Sequence, residues 1–133
     1  AIDELKIDEY VSKAQVPFYD NFEDGFKGAN YLLDLNPKID GILAALDMQW
    51  IGVLRALKKR DVSIPNQIKV ISLTGHSIGA KLETAMTSME IPAHEMGRKA
   101  ASIAISEIEQ TTNQNKKKQR IVLETNLVIR ETT

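Results

Sequence analysis

Apolar positions in the first half of the chain follow helical spacing first and then form a short continuous run. From Phe22 onward, apolar side chains recur at i, i+4, i+7 and i+11, which places them on one face of a helix over residues 23–35. Asn21 is expected to cap this helix, and Asn36-Pro37 to end it. The apolar run over residues 39–46 is bounded by turn residues and predicts a buried strand, typical of parallel sheets.

The same two patterns recur along the rest of the chain. Helices are predicted over residues 48–60 and 93–110, and strands over 68–73, 86–91 and 120–130. The second of these helices has an apolar arc so broad that burial against more than one neighbour is expected. Minor elements are also predicted: a partly helical segment over 1–14, a short edge strand at 16–19 and a solvated loop over 111–119. Strands that alternate with helices indicate an α/β fold with a mostly parallel sheet.

Composition limits the chemistry available to this domain. The chain has 133 residues, 43% hydrophobic and 26% charged, as in an ordinary globular domain. With no Cys, disulfide scaffolds, Cys-ligated zinc and thiol catalysis are excluded. His76 and His94 are the only histidines, too few for a His-rich metal site, and no phosphate-cradling glycine motif occurs. We therefore expect no metal and no cofactor.

Charge gives no sign of a nucleic-acid-binding surface in this chain. The net charge is −1, with an acidic first third and a basic remainder, which we interpret as two solvated surfaces. No apolar run approaches the ~20 residues of a membrane span, so no membrane partner is expected. The first residues carry no Met and no signal-like segment. They suggest a cut inside a larger polypeptide.

Residues 75–79, Gly-His-Ser-Ile-Gly, match the G-x-S-x-G pattern of a hydrolase nucleophile elbow. Ser77 would need a histidine base and a carboxylate. His94, with Glu83 or Glu90, is the available choice that keeps the usual chain order, and these lie too close along the sequence. We expect a glycine-rich turn and no enzyme. A small esterase using Ser77 is the less favoured alternative.

In open α/β sheets, ligands bind beyond the carboxyl ends of the strands. That rule marks three places in this sequence: Asn21-Phe22, Leu46-Asp47 and Thr74-Gly75-His76.

Five sequence stretches, taken in order, resemble the LacI (lactose-repressor) family of bacterial transcription regulators. They are Asn21-Phe22-Glu23, the strand over 40–47 that ends in Asp, the segment 62–72 with its Ile-Pro-Asn, the Met-Thr-Ser-Met-Glu-Ile-Pro of 86–92 with the helix after it, and Leu-Val-Ile-Arg-Glu-Thr over 127–132. Each stretch alone is weak evidence for the family. Five stretches in the same order, with gaps like those of the family, are a specific match.

The resemblance implies a Rossmann-like lobe of the type I periplasmic-binding-protein fold, with helices on both faces of the sheet. It also implies that residues 1–133 are a single partial effector-binding domain, mainly its C-terminal lobe, without the helix-turn-helix. The helix over 93–110 would then lack the first lobe on which it packs in the family. We expect the chain to cover it by self-association or by repacking against its own sheet.

Carried onto this sequence, the resemblance gives four ligand-binding residues. Phe22 would be an aromatic wall for a sugar face, Asp47 would accept hydrogen bonds from sugar hydroxyls, and Leu46 and Thr74 would line the pocket. Phe22 could equally be a core residue of its helix. Asp47 could equally, or additionally, cap the helix that follows it.

The implied partners are a small-molecule sugar or sugar phosphate, a second copy of the chain, and operator DNA through the missing N-terminal domain. The dimer interface would involve Trp50, Leu54, Leu82 and Met86, with intradomain core as the alternative. Ligand binding would change the relative angle of two lobes and hence the operator affinity of a cytoplasmic regulator.

The sequence departs from the family pattern at three places. Leu46 stands where the family often has Asn, Ser72-Leu73-Thr74 replaces Gly-aromatic-Asp, and Ile91 replaces Gln. The site is therefore less polar than usual. The Thr-Gly-His-Ser-Ile-Gly variant resembles sugar-operon repressors of low-GC Gram-positive bacteria, of the sucrose type. A periplasmic-type sugar-binding protein is the alternative to a regulator.

Overall fold

A computed structural model describes Glu4 and residues 21–75, 77–109 and 120–133. Its elements are α1 (Phe22–Leu35), β1 (Gly41–Ala44), α2 (Asp47–Lys59), β2 (Lys69–Gly75), a 3₁₀ helix (Ser77–Lys81), β3 (Thr87–Glu90), α3 (Ala93–Glu109) and β4 (Asn126–Val128). The predicted edge strand at 16–19, the loop over 111–119 and, apart from Glu4, the segment over 1–14 lie outside the described residues.

The four strands form one sheet in the order β1-β2-β3-β4. β1 and β2 pair in parallel, with Ile42 opposite Val70, and β2 and β3 also pair in parallel. β4 runs antiparallel to β3. The α/β architecture with a mostly parallel sheet is therefore confirmed.

Helix α1 begins where the sequence predicts. The Asn21 side chain accepts a hydrogen bond from the Asp24 backbone N–H at 2.8 Å, which satisfies one of the free donors of the first turn. At the other end, the chain leaves helical geometry at Asn36, in front of Pro37.

Helices α1 and α2 cross at two glycines. A Cβ on Gly52 would lie 2.6 Å from the backbone N of Phe26, and one on Gly25 would meet the backbone of Gln49. Backbone therefore packs directly against backbone at the crossing. Beyond it, Arg60 donates to the Asn30 side chain at 2.7 Å and pairs with Asp34.

The hydrophobic core lies between this helix pair and one face of the sheet. Its members are Ala29 and Leu33 of α1, Ile42 and Ala44 of β1, Trp50, Val53, Ala56 and Leu57 of α2, and Ile68, Val70 and Met86. The opposite face carries Leu43, which is 61% exposed, and Leu73. Within the described residues, helices therefore cover one face of the sheet, and the predicted cover of the second face is not seen.

The predicted strand over 120–130 is much shorter in the structure, where β4 covers only Asn126–Val128 and the chain then turns into the core, so that Thr132 is fully buried. The Thr132 hydroxyl accepts from the Thr87 N–H at 2.9 Å and donates to the Val70 carbonyl at 2.7 Å. These two bonds join the C-terminal segment to both β2 and β3. Residues 130–132 thus bind the sheet through polar contacts, and we call this segment the C-terminal clasp.

Arg130 extends this clasp along β3. Its guanidinium donates to the Met86 carbonyl at 2.7 Å and to the Ser88 hydroxyl at 3.3 Å, and it pairs with Glu90. The backbone N–H of Arg130 donates to the Thr87 hydroxyl at 2.8 Å. One side chain therefore joins the C-terminal segment to two positions of β3 and to Met86 just before it.

The apolar arc of α3 predicts burial against several neighbours, and the described residues do not bury it. None of its residues is buried, Ile108 is 81% exposed, and a Cβ added at Gly97 would meet no atom within 4 Å. The apolar arc is present, but the described residues do not cover it. Repacking against the chain's own sheet, one of the two expected outcomes, is therefore not observed.

Candidate functional site

Asp47 and Thr74 meet at the carboxyl edge of the sheet. Asp47 is the first residue of α2, three positions after the end of β1, and Thr74 is the penultimate residue of β2. The Thr74 hydroxyl lies 3.2 Å from Oδ1 of Asp47 and 3.4 Å from the Ala45 carbonyl. Because β1 and β2 are parallel neighbours, their ends lie side by side, as the strand-end rule predicts.

Ser72 completes this cluster, although it is not among the site residues predicted from the sequence. Its side chain is fully buried, lies 3.4 Å from Oδ1 of Asp47 and donates to the Thr74 carbonyl at 2.6 Å. The available signal was its position two residues after Val70, on the buried face of β2. A hydroxyl at such a position needs a polar partner.

Leu46, not Asp47, occupies the cap position of α2. Leu46 has extended backbone angles (φ −135°, ψ 155°), and no side chain caps the helix there. Asp47 already lies inside the helix, so the suggestion that it is the N-cap is wrong. Its carboxylate still lies in the first turn, where negative charge is favoured by the helix dipole. Leu46 is half-buried beside it.

The ring contact of Phe22 lies within α1, and the assignment of Phe22 to the effector site remains a prediction. The Phe22 ring stacks on that of Phe26, with centroids 6.3 Å apart. Both line a depression of about 780 Å³ together with Glu23, Arg55, Lys58 and Lys59. Arg55 lies eight residues beyond Asp47 on α2, a distance of about 12 Å at 1.5 Å per residue.

Two of the four predicted dimer-interface residues are core residues. Trp50 is 0% exposed and Met86 2% exposed within the single chain. Neither has surface left to contact a partner, so the intradomain alternative holds for both. Leu54 and Leu82 are half-buried and pack against the edge of the same core, and for them the interface remains a prediction.

The G-x-S-x-G segment differs from the strand–turn–helix geometry of a nucleophile elbow. β2 ends at Gly75, and the next described element is the 3₁₀ helix Ser77–Lys81, not an α-helix. His94, the proposed base, is exposed in the first turn of α3. His76 lies outside the described residues.

The described part of the chain has neither a membrane-spanning helix nor a cluster of metal-ligating side chains. No helix there is long and apolar enough to cross a membrane. No group of three or more His, Asp or Glu side chains comes together there as a metal site would require.

Almost the whole chain matches a known family. A model of the family described as "Periplasmic binding protein-like domain" matches residues 8–133. The transcriptional regulator CelR of Thermobifida fusca is 30% identical over 110 residues, 83% of this chain and 32% of that protein. The lactose operon repressor of Rhizobium radiobacter is 30% identical over 86 residues, 65% of this chain and 76% of that sequence.

A solved structure of a LacI-family regulator has the same fold as this chain. The LacI family transcriptional regulator of Arthrobacter sp. FB24, in complex with lactose, superposes with a TM-score of 0.79 at 27% identity, over 98% of this chain and 48% of that one. This chain spans about a third of the length of CelR and about half of the Arthrobacter chain. The relatives are regulators, not enzymes. This chain belongs to the periplasmic-binding-protein-like domain family, among the LacI-family transcription regulators.

Proposed function

We propose that this chain is the effector-sensing and dimerisation part of a bacterial LacI-family regulator. It binds a sugar or a sugar phosphate beside Leu46, Asp47 and Thr74, and binding changes the operator affinity of the full-length protein. The carboxylate–hydroxyl pair of Asp47 and Thr74 at the carboxyl edge of the sheet carries this proposal. The lactose bound to the Arthrobacter relative supports the ligand class.

The chemistry of the pair suits a sugar. A carboxylate only accepts hydrogen bonds, and sugar hydroxyls donate them, so Asp47 and a sugar are complementary. Bonds to an ionised acceptor are about twice as strong as neutral ones. Leu46 adds an apolar surface next to this acceptor, which matches the C–H faces of a sugar ring.

Effector binding would act as a shift between two arrangements of the full-length protein. A ligand changes operator affinity only to the extent that it binds one arrangement more tightly than the other. Typical couplings of this kind change affinity about 5- to 150-fold. The regulator would work in the cytoplasm as a homodimer, with Leu54 and Leu82 near the contact between subunits. It would reach DNA through a separate helix-turn-helix domain.

The test is operator binding by the full-length protein, measured by fluorescence anisotropy with and without lactose, sucrose and their 6-phosphates. We expect at least one sugar to change the affinity for operator DNA at least fivefold. Sugar binding without any DNA binding would favour the periplasmic-type sugar-binding protein instead. If no sugar binds and none alters DNA binding, the proposal is wrong.

A further inference from the structure

Ser72 is a polar side chain at a position that the strand pattern assigns to the core. Val70, two residues earlier on the same face of β2, is a core residue. Ser72 pairs in register with Ala44 on one side and Ser88 on the other, and it is fully buried. A buried hydroxyl is unfavourable unless it is hydrogen-bonded, so its bonds should account for its presence.

A serine hydroxyl has one proton and can donate only one strong hydrogen bond. Two acceptors lie near Ser72 Oγ: the Thr74 carbonyl at 2.6 Å and Oδ1 of Asp47 at 3.4 Å. The shorter contact has the distance of a good O–H···O bond, and the longer one does not. Ser72 therefore donates to the Thr74 carbonyl and fixes the backbone of β2 two residues ahead.

With its backbone held in this way, the Thr74 hydroxyl lies beside Asp47. It can donate either to Oδ1 of Asp47, which is 3.2 Å away, or to the Ala45 carbonyl, which is 3.4 Å away. The charged acceptor is both closer and stronger. Both hydroxyls of β2 approach the same oxygen of the Asp47 carboxylate, Oδ1.

We propose that Ser72 is a positioning residue of the effector site. Through the Thr74 carbonyl it holds the Thr74 hydroxyl against Oδ1 of Asp47, and so orients the Asp47 carboxylate for the ligand without touching the ligand itself. This inference rests on the proposed function of the same edge.

The test compares Ser72→Ala with Ser88→Ala in the full-length protein. Ser88 is equally buried and is the register neighbour of Ser72, but its hydroxyl accepts from Arg130 instead of facing Asp47. Affinity for lactose, sucrose and their 6-phosphates is measured by calorimetry, and stability by urea unfolding. We expect Ser72→Ala to weaken binding of the effector about three- to tenfold, as for one lost neutral hydrogen bond, and Ser88→Ala to change it less than twofold.

A third variant separates positioning from a general effect on stability. If Ser72 acts through the Thr74 hydroxyl, Ser72→Ala should weaken binding little further in a Thr74→Val background, whereas a loss of folding stability would persist there. The inference fails if Ser72→Ala binds as the wild type does, if Ser88→Ala weakens binding equally, or if the effect of Ser72→Ala is undiminished in Thr74→Val. If the wild type binds none of the probes, the proposed function fails, and this inference fails with it.

Discussion

The Thr74 hydroxyl lies 3.2 Å from Oδ1 of Asp47, although the two residues are 27 positions apart in the chain. The contact exists because β1 and β2 are parallel neighbours whose carboxyl ends lie side by side. The Asp47 carboxylate is thereby held through Oδ1 by a side chain of β2. The Asp47 carboxylate should therefore be the main polar contact of a sugar in this lobe.

Replacing Asp47 with Asn keeps the size of the side chain and removes its charge. We expect Asp47→Asn in the full-length protein to weaken effector binding about 10- to 100-fold, because bonds to charged acceptors contribute about 1.5–3 kcal/mol. Calorimetry measures the affinity of the variant for the effector. Asp40→Asn is the control, since Asp40 is exposed just before β1, at the other end of the strand, and should leave affinity unchanged. An Asp47→Asn variant that binds as tightly as the wild type would remove Asp47 from the site.

Much of the fold followed from local patterns. The cap at Asn21 and the stop at Asn36-Pro37 set the ends of α1 within one residue, because both act on neighbouring backbone groups. The meeting of Asp47 with Thr74 followed from the general rule that strand ends of a parallel sheet share one edge.

Features that depend on distant partners could not be predicted in the same way. Arg130 contacts Glu90 and the Met86 carbonyl, which lie about forty residues earlier in the chain. No local sequence pattern predicts these contacts. The direction of the Phe22 ring depends on Phe26 and on α2, whereas the sequence shows only an aromatic residue near a strand end. The apolar arc of α3 was correctly identified, but spacing does not reveal whether a partner covers it.

The crossing of α1 and α2 depends on the absence of side chains at its centre. A methyl group at Gly52 would overlap the backbone of Phe22, so Gly52→Ala should push the helices apart and destabilise the chain by about 2–4 kcal/mol. Gly97→Ala is the control, since it adds a methyl group to open space on α3 and should stabilise the chain by about 0.5–1 kcal/mol. Urea unfolding measures both. Equal effects of the two substitutions would contradict the close crossing.

Arg130 should contribute strongly to stability because its guanidinium is mostly buried and has three acceptors. Arg130→Ala leaves the Glu90 carboxylate and a buried carbonyl without their donor, and we expect a loss of about 2–3 kcal/mol in urea unfolding. The control is Arg98→Ala, which removes an exposed pair with Glu95 at 4.0 Å and should cost less than about 0.5 kcal/mol. If the two variants unfold at the same urea concentration, the clasp does not hold the C-terminal segment.

The exposed apolar side chains of α3 should make the isolated 133-residue chain self-associate. Met96, Ile105 and Ile108 are 49%, 54% and 81% exposed on a helix that buries no residue. Burial of an isoleucine contributes about 1.5–3 kcal/mol, so the double substitution Ile105→Glu/Ile108→Glu should weaken association at least about a hundredfold. Sedimentation equilibrium over a range of concentrations measures this.

Arg98→Glu is the control for the effect of added negative charge on α3. Arg98 lies on the polar side of α3, so its replacement adds negative charge to the same helix without removing apolar surface. We expect it to associate as the wild type does. A wild-type chain that stays monomeric at every concentration, with α3 accessible to hydrogen exchange, would show that the exposed arc does not drive association. Association that persists in the double variant would place the contact on another surface, such as the face of the sheet that carries Leu43.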